Sequence, residues 1–117
     1  MAVDLSALAA GIHEREEDWV LLAMAWTVGP IHANYGKPMT AAEFESDDLH
    51  GEILLWVTGE AELESMRLSD FRVVNKHYAL GSASELDSVF ADLIALARAG
   101  VAPADAVIAY ASDQPST

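Results

Sequence analysis

Two strand-like runs, Gly51 to Thr58 (GEILLWVT) and Ala61 to Arg67 (AELESMR), are separated by only Gly59-Glu60. Runs this close in sequence pair as an antiparallel hairpin, and a glycine-first pair suits a type II′ turn. A second turn at Leu68-Ser69-Asp70, followed by a strand from Phe71 to about Leu80, extends the hairpin into a meander.

The turn length sets the register, and the register sets the faces. A two-residue turn places Trp56 opposite Leu63, Val57 opposite Glu62 and Leu55 opposite Glu64. Trp56, Leu63 and Leu54 then share one face. Ile53, Leu55, Val57 and Met66 share the other with Glu62 and Glu64. With the next turn at 68–70, Glu62 lies opposite Lys76, and Glu64 is diagonal to both Arg72 and Lys76, so these two glutamates read as paired within the sheet. Their face is either covered by a helix or exposed as an apolar patch rimmed by acids, the second arrangement being that of a protein interface.

Leu5, Leu8, Ile12 and Trp19 recur at helical spacing and predict an amphipathic helix from Asp4 to Glu17, with Asp4 as N-cap. Glu14, Glu16, Glu17 and Asp18 would then crowd its C-terminal end, where the macrodipole disfavours negative charge. Trp19 to Thr27 (WVLLAMAWT) is apolar on both faces and predicts a central strand, ended by Gly29-Pro30. HANYGKP reads as a loop, and the stretch from there to Asp48 is open between a short helix, an edge strand and an irregular crossing. Ser82 and Glu85 form a capping-box pattern ahead of a helix carrying Leu86, Val89, Phe90, Leu93, Ile94 and Ala97 up to Gly100. Pro103 opens a short extra helix with Ala106, Val107 and Tyr110. The expectation is one α+β domain over residues 1–111: an N-terminal helix, an antiparallel meander of about four strands, a C-terminal amphipathic helix and the short extra helix. Residues 112–117 read as a disordered tail. At 117 residues and 52% hydrophobic content, such a domain buries roughly two-thirds of its unfolded surface.

Nineteen acidic residues against six basic ones give a formal net charge of −13. Phosphate polymers and anionic membranes are repelled at long range, which argues against direct nucleic-acid or membrane binding. The opening lacks the basic region of a secretory signal, and the longest apolar run, Trp19 to Ala25, is far shorter than a membrane span of ~20 residues. No cysteine is present, so disulfides, thiolate metal sites and thiol nucleophiles are excluded, and the cytoplasm is the expected compartment. Between Lys37 and Arg67 there is no basic residue. Glu43, Glu45, Asp47, Asp48, Glu52 and Glu60 lie in that interval without a sequence-local partner, and they are the candidate partner-binding acids. Such a run is either a solvated face or a surface complementary to something basic. Trp56 lies between its two flanks and is the candidate anchor, whereas Trp19 and Trp26 read as core.

The four histidines show no i,i+4 pairing, and Asp47-Asp48-Leu49-His50, the only cluster of histidine with carboxylates, falls short of a metal-ligand set. His13 suits a helix-end cation, and His77 shares a strand face with Phe71 and Val73. There is no G-x-S-x-G and no glycine-rich phosphate loop, so no catalytic, metal or cofactor residue is assigned, and the chain reads as a non-enzyme.

GEILLWVTGEAELESMRL, followed after a strand by SASELDSVFADLIAL, in a short acidic cysteine-free chain, resembles the immunity proteins of bacterial toxin systems, and within them the TriTu immunity family. The resemblance runs from Gly51 to Ala97. It implies a cytoplasmic protein that binds a cognate toxin domain, often one acting on nucleic acid, and blocks its active site. Charge agrees, because a nucleic-acid enzyme presents a basic cleft into which an acidic inhibitor can be steered. Two other readings stay open: an acidic secretion chaperone or adaptor that binds an extended segment through the apolar sheet face, and a small metal-dependent enzyme or ligand-binding domain built on Asp47, Asp48 and His50.

Overall fold

A computed structural model describes residues 2–111. Helices α1 (Ala7–Glu14) and α2 (Glu16–Leu22) precede strands β1 (Ala25–Val28), β2 (Met39–Glu45), β3 (Leu49–Trp56), β4 (Glu60–Arg67) and β5 (Arg72–Ala79); helix α3 (Leu86–Ala99) and strand β6 (Val107–Tyr110) follow. All six strands form one antiparallel sheet in chain order, an α+β meander longer than the four strands expected. The expected tail, 112–117, lies outside the described residues. Among those described, no helix is long and apolar enough to cross a membrane.

The structure departs from expectation at the first helix, at the apolar run after it and at the last helix. The first helix is two: α1 ends at Glu14, and α2 starts at Glu16, so Glu16, Glu17 and Asp18 occupy the first turn of a new helix, where the macrodipole favours them. Asp4 still starts the first turn, accepting from the Ser6 N–H at 3.0 Å and hydroxyl at 2.7 Å. The run from Trp19 is not one central strand but helix to Leu22, then edge strand β1. The break is Ala23, left-handed at φ 53°, a conformation that usually goes to glycine. The stretch open between a short helix, an edge strand and an irregular crossing forms β2, a strand paired on both sides and so not an edge, and the segment expected as a last helix is the other edge strand, β6.

The third helix follows the expected boundaries, with a 3-10 turn at Ala83–Glu85 ahead of it; the Glu85 carboxylate accepts the Gly81 N–H at 2.8 Å, and the helix ends where the Gly100 N–H reaches the Leu96 carbonyl.

Alternation along the strands divides the sheet. Ala42 and Phe44 of β2, Ile53 and Leu55 of β3, Ala61 and Leu63 of β4 and Val74 of β5 are all buried and meet Leu8, Val89, Phe90 and Leu93 of the helices. The helices cover this face alone, giving a two-layer domain. Trp19 is buried in it and donates its indole N–H to the Ile12 carbonyl at 2.8 Å. Trp26 packs beside it with ring centroids 5.1 Å apart, so both tryptophans belong to the core layer as expected. Phe90 is fully buried under Gly11, with the Arg15 guanidinium 4.4 Å from its ring centre.

Because Phe90 joins α3 to α1 and to Trp19, Phe90→Ala leaves a cavity at the centre of the helix layer. Denaturant unfolding should show a loss of about 3–5 kcal/mol, and a loss below about 1 kcal/mol would mean the helices do not depend on this contact.

Candidate functional site

The face of the sheet away from the helices is where the acids gather, and the β3–β4 turn decides which ones. Trp56, Val57, Thr58 and Gly59 form the turn: the Gly59 N–H donates to the Trp56 carbonyl at 2.9 Å, and Gly59 has φ 98°. This is a three-residue loop with glycine in its left-handed last position, not a two-residue type II′ turn. Ile53 therefore faces Leu63, Leu54 faces Glu62 and Glu52 faces Glu64. The shift is odd, so it flips the strand: Ile53 and Leu55 go to the core, while Glu62 and Glu64 share the open face with Leu54, Trp56 and Met66. The β4–β5 turn is also one residue longer than expected, closing through Phe71 at φ 59°. Glu62 then faces His77 and Glu64 faces Asn75.

Lys76, expected opposite Glu62, sits instead on the helix side, where its ammonium and the Tyr78 hydroxyl meet Asp92 at 3.3 and 2.6 Å. Burial, together with Asp92, pushes the Tyr78 hydroxyl well above its ordinary range. Arg72 donates to the Gly100 carbonyl at 2.9 Å. Neither base neutralises Glu62 or Glu64.

The result is a row of carboxylates across three strands. Glu43 of β2, Glu52 of β3 and Glu64 of β4 are direct cross-strand neighbours, a placement that repels. Glu45 lies one step along β2 on the same face and Glu62 one step along β4. Burial, and then the carboxylates of Glu64, Glu43 and Glu62, push Glu52 above the ordinary glutamate range. Partial relief comes from Asn75, whose amide donates to Glu62 at 3.1 Å and Glu64 at 3.3 Å, and from His77 at 3.2 Å from Glu62. His50 stands 3.7 Å from Glu45. Glu43, Glu45, Glu52 and Glu64, with His50 and Met66, line an open basin of about 430 Å³ that Ala25 and Thr27 border on the β1 side, and Glu62 lies just outside it.

The basic residues are committed elsewhere. Arg15 pairs with Asp87, Arg67 with Asp70, Lys76 with Asp92, and Arg98 approaches Asp18, all away from the acid row. Lys37 alone touches this face, at its far end, 2.7 Å from Glu60 and 5.7 Å from the centre of the Trp56 ring.

Of the candidates from sequence, Glu43, Glu45 and Glu52 come together in the basin. Glu60 and half-buried Trp56 form a separate group around Lys37, and hydrogen bonds from Lys37 and Thr58 hold the Glu60 carboxyl below its ordinary range. Glu60 is therefore not unpaired. Asp47 and Asp48 lie outside the basin, in the β2–β3 turn. Asp48 accepts from the Ser69 N–H at 2.7 Å and hydroxyl at 3.1 Å, tying two turns together. Glu62 and Glu64 are the site residues that sequence reasoning set aside. Among the described residues, no group of three or more His, Cys, Asp or Glu side chains is placed to hold a metal ion. The apolar surface needed by a chaperone reading, Ile53 with Leu55, is buried beneath the helices.

A family model described as "Immunity protein TriTu" matches residues 16–96. The chain belongs to the TriTu immunity family. The TriTu match begins at the first residue of α2, spans β1 to β5 and enters α3, so it contains the whole acid row and reaches well beyond the Gly51 to Ala97 resemblance. No curated protein and no solved structure matches the chain. TriTu membership assigns it the role of an immunity protein, a binder and inhibitor of a cognate toxin.

The acid row sets the sign of a pH effect. A carboxyl whose value is raised on folding contributes stability while protonated, below the ordinary 4.5, and loses it as pH rises through the raised value. Glu52→Gln should therefore stabilise the TriTu fold at pH 7 by about 1 kcal/mol, since like charges facing across strands cost up to that each, and the gain should shrink toward pH 4.5. Thermal unfolding across that range checks it. A destabilised Glu52→Gln at neutral pH would show that the row is not under repulsion.

Proposed function

We propose that this chain neutralises a basic, nucleic-acid-targeting toxin domain by laying the open, glutamate-bearing face of its sheet over the toxin's active-site cleft. The observation that carries the reading is the row Glu43, Glu52 and Glu64, flanked by Glu45 and Glu62, on a sheet face that no helix covers. Like charges aligned across strands weaken a sheet, and cations from a partner would remove that repulsion on binding. An enzyme that holds nucleic acid must present positive charge in its cleft, so the same residues that repel each other here attract that cleft and exclude its substrate. Trp56, half-buried beside Lys37, supplies an aromatic anchor at the rim. Asp47 and Asp48, on the turn beyond the basin, contribute long-range attraction. The reading places the protein in the cytoplasm, where such a toxin meets its target, and asks no chemistry of the chain itself.

The test uses the product of the neighbouring toxin reading frame. It should co-purify with the chain, and failure to do so would remove the proposal. Neutralising Glu43, Glu45, Glu52 and Glu64 to glutamine should slow association at low salt by about tenfold or more and flatten its salt dependence. Glu14→Gln with Glu17→Gln, on the helix side, should leave both unchanged. Equal effects from the two sets would mean that net charge, and not this face, directs binding.

A further inference from the structure

Strand β1 is a sheet edge whose two sides differ in chemistry. The Gly29 N–H donates to the Ala41 carbonyl at 2.9 Å, which fixes the alternation of the β1–β2 ladder. Ala25 and Thr27 therefore turn their main-chain groups toward β2, while Trp26 and Val28 turn theirs outward. No described main-chain group meets those of Trp26 and Val28. The window is closed at both ends: the Met24 N–H is held by the Trp19 carbonyl at 2.9 Å, and Pro30, at the next outward position, has no N–H to offer.

On the open face, β1 presents only the small exposed side chains of Ala25 and Thr27, which face Glu45 and Glu43 across the ladder. On the helix side lies an open groove of about 410 Å³ lined mostly by apolar residues, Trp19, Val20, Ala23, Met24 and Trp26, with Glu16 the one charged side chain in its wall. Val20 and the adjacent Leu21 are 74% and 79% exposed.

We infer that the free edge of β1 is a docking edge for an extended segment of the toxin, one whose side chains alternate between basic and apolar. The inference rests on the proposed neutralisation of a basic toxin and names the part of that toxin which is gripped. Side chains of an added strand alternate between the faces of the sheet. Those on one side meet the glutamates and those on the other meet the groove. Neighbouring strands lie about 4.8 Å apart, so a lysine or arginine on the added strand reaches over Ala25 or Thr27 to the carboxylates of β2. The other free edge, β6, also exposes Val107, Ile108 and Tyr110, but its open-face neighbours are Val73 and Asn75, with no acid row beside it. Charge complementarity selects β1.

The test measures binding of a short synthetic peptide of alternating lysine and valine to the intact chain. Two controls accompany it: a peptide of equal composition with lysines and valines in separate blocks, and the alternating peptide N-methylated on one hydrogen-bonding edge. The alternating peptide should bind at least tenfold tighter than either control. Val28→Pro, which removes one outward amide at a position where an edge tolerates proline, should erase that difference while the circular dichroism spectrum stays unchanged. If Val28→Pro fails to fold, the N-methylated peptide makes the same discrimination on the unaltered chain. Equal binding of alternating and blocked peptides would reduce the effect to charge and overturn the inference. A dimer in sedimentation that Val28→Pro dissociates would assign the edge to a second copy and also overturn it. Binding of the toxin itself separates the two levels: undiminished affinity of Val28→Pro, with affinity lost on neutralising the acid row, leaves the functional reading standing and removes the edge.

Discussion

Everything distinctive about this molecule depends on the three residues that close the β3–β4 hairpin. Gly59, at φ 98°, ends the loop in a conformation that other residues adopt at a cost, and its carbonyl accepts the Leu80 N–H at 2.8 Å, so the turn is held from both sides. A Cβ at Gly59 would stand 2.4 Å from the Leu80 carbonyl oxygen. With the loop so fixed, Ile53 meets Leu63 inside the core and Glu52 meets Glu64 outside it. A slip by one residue would put carboxylates into the core and leucine into water, and burying a charge without a partner costs far more than the turn can return. The loop and the hydrophobic layer thus enforce the same register, and the acid row is its consequence on the other face.

The two faces of the sheet do opposite things for stability. The helix-covered face concentrates the apolar burial, with Leu8, Ile53, Leu55, Leu63, Phe90 and Leu93 fully enclosed. The acid row on the open face is met by an asparagine amide and two nearby histidines, with Lys37 at the far end beside Glu60, whereas most of the chain's lysines and arginines pair with aspartates elsewhere. Such a surface costs stability in the free protein, and in a member of an immunity family that cost fits a site completed by a partner.

Legibility in the sequence followed the strength of the local signals. The periodic helix from Leu86 and strands β3 to β5 carried clear patterns, and the resemblance to the TriTu family lay in those same stretches, although Ser82 makes no side-chain cap and the Glu85 carboxylate turns to the Gly81 N–H instead of completing a capping box. The break inside WVLLAMAW was hidden because Ala23, not glycine, takes the left-handed position, so helix and strand read as one apolar run. Strand β2 lacked a clear signal because Ala41 and Ala42 carry little β-propensity. The acidic interval was visible, but its division was not: two-residue and three-residue turns around Gly59 differ by nothing that composition shows, and the choice moved Glu62 and Glu64 from structural partners to the open acidic face. The Glu60–Lys37 and Asp48–Ser69 contacts join residues that are 23 and 21 positions apart, beyond any sequence-local reading.

Zero-length carbodiimide crosslinking of the chain to its toxin, read by mass spectrometry, tests most directly whether the open face is the working surface. It joins only carboxylates and amines already in contact. Crosslinks from Glu43, Glu45, Glu52 or Glu64 to toxin lysines are the predicted result; crosslinks confined to helix-side acids such as Glu14, Glu17 and Asp87 would contradict the account.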